Sequence, residues 1–302
     1  MNQDNSIKIK AFTVWFAASL FACFQFCAQI ILGPMTADLM GTYNLDAVSV
    51  SYVVSSFFYI YLLMQLPAGM LLDRYPTKYV MPITCFICAL GVILMGLATN
   101  AYLFVVARMI CGFGSAFGFI GTMRVLRNYF TIRHMTLFIG FTEMMGFLLT
   151  AACAHAVSYF LPSYGFKNVL FYFGFIGIFI VVLMIISTMK RFAPKYQYAP
   201  PMRHDLKLIL QDFRALITDR QMTILGLISF SFFSLVTAFA ALWGVPSLMN
   251  LHGLSLQQST QAISCIFFGI ATGGPLIGYL HLRIKNYCAL IALCGIVSAI
   301  LV

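Results

Sequence analysis

Long apolar stretches follow one another along almost the whole chain. Eight of them are long enough to cross a hydrocarbon core of ~30 Å, which requires ~20 residues: residues 11–33, 47–72, 79–99, 101–123, 135–161, 167–189, 222–247 and 259–281. A ninth stretch begins near Cys288, and the chain ends at Val302. The pattern predicts an all-α polytopic membrane protein with eight full transmembrane helices and part of a ninth.

The pattern is interrupted once, after residue 189. The segment "KRFAPKYQYAPPMRH" (190–204) is basic and rich in proline, and "HDLKLILQDFRALITD" (204–219) places apolar residues at helical spacing on one face. Such a helix lies on the inner membrane surface or packs under the bundles, and binding of a partner protein is the alternative. We therefore expect an N-terminal six-helix bundle (1–189), a cytoplasmic linker with an amphipathic helix (190–221) and an incomplete C-terminal bundle (222–302).

Helices 1 and 2 resemble helices 7 and 8. "PAGMLLDR" (67–74) aligns with "PLIGYLHLR" (275–283) at an offset of 209, and the stretch that begins at Pro34 aligns with the one at Pro246 at an offset of 212. This indicates a parallel repeat of helical halves, and chance similarity between apolar segments is the alternative.

The charge distribution indicates the orientation of the spans. Charged residues make up 9% of the chain and hydrophobic residues 62%, so the solvent for most of the surface is a lipid bilayer. Sixteen of the 18 Lys and Arg residues fall in segments on the side of the N-terminus, whereas Lys167 lies on the other side and Arg108 within a span. This asymmetry predicts a cytoplasmic N-terminus in the inner membrane. It also argues against binding to nucleic acid, because no basic recognition module accompanies these charges.

The motifs of several catalytic classes are missing from the sequence. No zinc-ligand histidine pair, nucleophile elbow or P-loop occurs. Nine cysteines, almost all within spans, do not suit a secreted disulfide framework. We therefore expect no enzyme activity, no metal and no cofactor.

The loop between helices 2 and 3 carries charges directly after an apolar run. It reads Gly69-Met-Leu-Leu-Asp73-Arg74-Tyr-Pro76-Thr-Lys78. This resembles the Gly-x-x-x-Asp-Arg-x-Gly-x-Lys/Arg signature of the major facilitator superfamily of secondary transporters, with proline in place of the second glycine. The resemblance implies a fold of two six-helix bundles and a loop that latches them together on the cytoplasmic side.

The residues of this loop suit a latch on physical grounds. Gly69 is expected to let a neighbouring helix approach closely. Asp73 offers a charge-assisted acceptor at the water boundary, and Arg74 and Lys78 anchor the turn on the inner side. The alternative is that the charges only hold the topology.

A second family motif lies in helix 4. Arg108-Met-Ile-Cys-Gly112-Phe-Gly114-Ser-Ala116 resembles Arg-x-x-x-Gly-x-Gly-x-Ala, in which the small residues permit close helix packing. At ~1.5 Å per residue, Arg108 lies roughly 10 Å from the outer end of the helix. Such a residue marks a ligand or ion pathway, and the alternative is a structural arginine that snorkels outward or caps carbonyls.

The family resemblance implies that helices 1, 4 and 7 line a central cavity. Gln25 lies about level with Arg108 at ~1.5 Å per residue, and Gln29 lies one turn further out. Phe239 and Trp243 of helix 7 are candidates for an apolar wall, although each aromatic alone is more often a packing residue. These five residues form the predicted substrate site.

Glu143 in helix 5 is the candidate for proton coupling. It is the one carboxylate deep within a predicted span, and burial disfavours its charged form until access to water alternates. A static ion pair with Arg108 or Arg124 is the alternative.

The combined features predict a secondary active transporter that takes up a small polar solute by proton-coupled alternating access. The resemblance is to a bacterial uptake branch of the family, which implies an organic anion, an amino acid or short peptide, or a sugar acid as the solute. Helix 5 reads "GFTEMMGFLLTAA" (140–152), without the proline of the drug antiporters' motif, which argues against export. The alternatives are a drug or metabolite exporter and a transport-inactive truncated or sensor-like member.

The position of the C-terminus limits the expected activity. A twelve-helix member continues well beyond Val302, so the sequence alone predicts an incomplete second bundle. We expect the 302-residue chain to insert as a monomer without concentrating a solute.

Overall fold

The computed structural model describes residues 2–189, 218–234, 238–239 and 242–283. Within these ranges the chain forms helices joined by turns, in agreement with the predicted all-α class. The helices are α1 (Asn2–Ile30), α2 (Thr36–Tyr43), α3 (Ala47–Arg74), α4 (Thr77–Leu97), α5 (Ala101–Tyr129), α6 (Ile132–Met189), α7 (Arg220–Ser234), α8 (Gly244–His252) and α9 (Leu256–Arg283).

Helix α6 contains two of the predicted spans. Its apolar part, His134–Ser187, has 54 residues, or ~80 Å at 1.5 Å per residue, far more than one crossing needs. The helical geometry breaks at Gly165, whose φ of 73° lies in the left-handed region that glycine adopts most readily. The break falls between the predicted spans 135–161 and 167–189.

The seventh predicted span is only partly described. Residues 222–247 correspond to α7 and the start of α8, with π-helical geometry at residues 238–239 and 242–243. The predicted ninth helix and the linker up to residue 217 lie outside the described residues.

The starts of the repeated helices follow the predicted offset of 209. Helix α3 begins at Ala47 and helix α9 at Leu256, and these positions differ by this offset. Asn44 and Gly253 adopt left-handed conformations at the preceding helix ends. Asp46 and Ser255 then each accept a hydrogen bond from the backbone N–H three residues later, at 3.0 and 3.2 Å. The same capping chemistry therefore starts both helices.

Close helix contacts in the first bundle occur at glycines. A Cβ on Gly114 would lie 2.5 Å from the carbonyl oxygen of Thr84 in α4, and one on Gly112 would lie 2.5 Å from that of Phe57 in α3. Both glycines were predicted to serve packing. Because these two glycines lack side chains, the backbone of α5 can lie against α3 on one side and against α4 on the other.

Helices α6 and α9 form a seam along their length. The rings of Phe147 and Phe267 stack at 6.2 Å, and a Cβ on Gly140 would lie 3.0 Å from the carbonyl oxygen of Gly274. An apolar cluster that includes Phe147, Phe267 and Ile30 of α1 lies on the same side. Through this seam, α9 packs against the first bundle.

The orientation in the membrane is testable by labelling. In cells, introduced cysteines at residues 36–46 and 162–166 should react with impermeant reagents from outside, and those at 74–78, 124–134 and 190–221 only after permeabilisation. The expected result follows from the asymmetry of Lys and Arg. Reaction of the 190–221 segment from the outer face would overturn the assignment.

Candidate functional site

Arg108 lies beneath the end of α1. This helix ends at Ile30, and Pro34 in the following 3₁₀ turn has no N–H to continue the ladder. The guanidinium of Arg108 donates to the carbonyl oxygens of Ala28 and Gln29, at 2.6 and 2.8 Å. Arg108 is 0% exposed, so it caps helix α1 from inside the bundle. This geometry agrees with the alternative interpretation of Arg108, a structural arginine that caps carbonyl groups.

A column of rings continues from Arg108 along α3. The guanidinium carbon lies 4.6 Å from the centre of the Phe57 ring, and the Phe57 and Tyr61 rings stack at 5.6 Å. Gly112 permits the approach of Phe57. One aromatic ring therefore separates the buried positive charge from the phenol of Tyr61.

Gln25 is enclosed by the first bundle. It is 0% exposed, and neither its Oε1 nor its Nε2 has a hydrogen-bond partner. Its side chain faces Gly118 of α5, where a Cβ would lie 3.1 Å from its Cγ. The Tyr61 hydroxyl lies close to the side-chain amides of Gln65, Gln25 and Gln29, although neither polar atom of Gln25 meets the geometric criteria for a hydrogen bond within the described residues.

Glu143 lies between the first bundle and α9. It is partly exposed, it is near enough to Cys23 and Tyr61 for electrostatic interaction, and a Cβ on Gly274 would lie 3.7 Å from its own Cβ. The neighbouring Thr142 accepts a hydrogen bond from the indole N–H of Trp15 at 3.1 Å, which holds this turn against α1.

Glu143 does not form the predicted alternative ion pairs. Arg108 donates to carbonyls, and Arg124 pairs with Asp73 at 2.6 Å. Within the described part of the chain, both arginines are therefore engaged by groups other than Glu143.

The predicted latch loop makes its contacts within the first bundle. Asp73 binds Arg124 of α5, while Arg74 and Lys78 lie over the rings of the tyrosines that follow them. A Cβ on Gly69 would meet nothing within 4 Å. The close approach expected at Gly69 is therefore not present among the described residues.

The two aromatic candidates of the seventh span lie apart from this buried cluster. Phe239 is 44% exposed and Trp243 is 37% exposed. The structure therefore brings together the sequence-predicted Gln25, Gln29 and Arg108, and adds two residues, Tyr61 and Gln65, that sequence reasoning missed. Tyr61 and Gln65 lie four and eight residues after Phe57 on one face of α3, and this helical spacing is the sequence signal that could have identified them.

Three comparisons relate the chain to known proteins. The sequence pattern of the Major Facilitator Superfamily matches residues 15–302. The probable galactarate/D-glucarate transporter GudP of Escherichia coli is 25% identical over 174 residues, which is 55% of this chain and 39% of that protein. GudP of Pseudomonas putida is 33% identical over 100 residues, 31% of this chain and 22% of that protein. The chain thus spans well under half of the curated relatives that it matches.

A solved structure has a similar fold. It is a crystal structure of a bacterial homologue of the human lysosomal transporter Spinster, in an inward-facing and unoccupied conformation. The TM-score is 0.66 at 18% identity, and the match covers 86% of this chain and 60% of that one.

Proposed function

Because this chain belongs to the Major Facilitator Superfamily, we propose that it serves proton-coupled secondary transport of a small sugar acid by alternating access. The proposal concerns the whole transporter of which these helices form the described part. One observation carries it: among the described residues, the buried positive charge of Arg108 has no acidic partner, and it adjoins a cluster of neutral polar side chains.

The buried charge favours an anionic solute. The partners of Arg108 are carbonyl oxygens, which stabilise the guanidinium without cancelling its charge. The ion pair found within the described residues joins Arg124 and Asp73 instead. In a low-dielectric interior, an uncompensated cation attracts an anion over several ångströms.

The polar cluster favours a solute with hydroxyl groups. Amides and phenols donate and accept hydrogen bonds, as hydroxyl groups require, and Gln25, Gln29 and Tyr61 lie together near Arg108. The names of the relatives, probable galactarate/D-glucarate transporters, agree with a polyhydroxylated acid. We therefore place the carboxylate of the solute on the Arg108 side and its hydroxyl groups on the Tyr61 side.

Glu143 is the proposed proton carrier. Its position between α1, α3 and α9 supports this role, because relative movement of the two bundles is expected to alter access to water at such a contact. A protonated Glu143 leaves the positive potential of Arg108 available to the anion, whereas an ionised one offsets it. Proton and anion are therefore expected to bind together.

Replacing Glu143 with glutamine should separate transport from the proton gradient. The amide is isosteric but does not titrate, so the variant should still exchange D-glucarate across liposomes and should lose at least about tenfold of its pH-gradient-driven accumulation. The measurement is uptake of labelled D-glucarate by the longest reading frame that contains residues 1–302, reconstituted with and without an imposed gradient.

Asp38→Asn is the matched control. Asp38 is an exposed carboxylate on α2, so this variant should retain the response to the gradient. An unchanged response in Glu143→Gln would remove Glu143 from proton coupling. Absence of D-glucarate flux in the unaltered protein would refute the proposed solute.

A further inference from the structure

We propose that Gln25, Tyr61 and Gln65 form a hydroxyl-binding subsite that selects polyhydroxylated acids over unhydroxylated acids of equal length and charge. The inference rests on the proposed function, because it assigns the recognition of hydroxyl groups in the same solute. Two of the three residues lie on α3, outside the predicted set.

The first observation is that the side-chain amide of Gln25 has no hydrogen-bond partner among the described residues. Buried polar groups in folded proteins are almost always hydrogen-bonded, so an unpartnered one requires an explanation. Both polar atoms of this amide lack partners although the residue is 0% exposed. An amide donates two hydrogen bonds and accepts two, so a hydroxyl group, which is both donor and acceptor, satisfies it well.

The second observation is the shape around this amide. A Cβ on Gly118 would lie 3.1 Å from Cγ and 3.4 Å from Oε1 of Gln25. Any side chain there would crowd the amide. The Tyr61 phenol, which is partly exposed, also lies close to Gln25 and Gln65.

The third observation is the order of groups along α3. Phe57, Tyr61 and Gln65 are spaced four residues apart and share one face. Arg108 lies over the first ring, and the second ring stacks on the first. A solute that places its carboxylate towards Arg108 therefore extends its carbon chain, with its hydroxyl groups, past Tyr61 and Gln65.

A pair of six-carbon diacids tests the selectivity directly. D-Glucarate and adipate have the same length and charge, and only D-glucarate has hydroxyl groups. The longest reading frame that contains residues 1–302, purified in nanodiscs, should bind labelled D-glucarate, and adipate should compete at least about 100-fold more weakly, because rejection leaves buried polar groups unpaired.

Substitutions assign this selectivity to the subsite. Tyr61→Phe, Gln25→Leu and Gln65→Leu should each weaken D-glucarate binding about 2- to 10-fold, the range of one neutral hydrogen bond, and leave adipate affinity unchanged. Tyr59→Phe is the control, since Tyr59 is 53% exposed on the same helix. An equal loss for both acids would overturn the proposal, because it would indicate general damage to the site.

Thermal unfolding without ligand provides a second, independent measurement. If the Gln25 amide is unpaired without ligand, Gln25→Leu should unfold at an unchanged or higher temperature, since it removes a buried unsatisfied group. A clear decrease in the unfolding temperature would contradict the subsite. If the unaltered protein binds neither acid, the proposed solute is wrong, whereas the unfolding temperature of Gln25→Leu still tests the unpaired amide on which the subsite rests.

Discussion

Arg108→Ala should lower the stability of the folded protein and abolish binding of the solute. The substitution leaves the carbonyl oxygens of Ala28 and Gln29 without the guanidinium that donates to them. A buried polar group left unsatisfied costs about 1–3 kcal/mol. It also removes the positive charge proposed to attract the anion, and it frees the end of α1, which carries Gln25.

Arg108→Lys separates the charge from the geometry. Lysine restores a cation, but its ammonium lacks the planar fork with which the guanidinium reaches two carbonyl oxygens at once. We expect partial recovery of stability and incomplete recovery of D-glucarate binding. Thermal unfolding in nanodiscs and equilibrium binding measure the two effects.

Arg127→Ala is the matched control, because Arg127 is an exposed arginine on the same helix. It should behave like the unaltered protein. Normal stability in Arg108→Ala would refute the capping role, and normal binding would remove Arg108 from the solute site.

Gly114→Ala should destabilise the first bundle strongly. The new Cβ would lie 2.5 Å from the carbonyl oxygen of Thr84 and 2.8 Å from Cα of Cys88, and it would also overlap the Cys88 backbone nitrogen. Backbone atoms within a helix cannot move aside as a flexible side chain does. Overpacking of this kind typically costs about 1–3 kcal/mol, so α4 and α5 must separate or the bundle must unfold more readily.

Gly269→Ala provides the control for this substitution. A Cβ at Gly269 would meet nothing within 4 Å, and alanine is favoured over glycine within a helix by about 1 kcal/mol. We expect unchanged or slightly higher stability. Similar unfolding temperatures for the two variants would show that the α4–α5 contact tolerates a methyl group and would refute the close-packing role of Gly114.

The sequence by itself determined the positions of the spans and the repeat. A run of apolar residues identifies a membrane helix from its own length, because every backbone group is satisfied within that helix. The offset of 209 likewise depends on local capping chemistry, and Asp46 and Ser255 repeat it at the starts of α3 and α9. Gly112 and Gly114 were identified through the resemblance of helix 4 to a family motif, in which small residues permit close helix packing.

Only the tertiary structure decided which groups meet inside the bundle. Arg108 could be placed by depth, but whether it faces a solute or the carbonyls of Ala28 and Gln29 depends on where α1 ends beside α5. Tyr61 is one of 15 tyrosines, and its proposed role follows from neighbouring amides, two of which, those of Gln25 and Gln29, come from α1. Depth along a helix is read from residue number, whereas rotation and contact between helices are set by packing, and packing joins residues far apart in sequence.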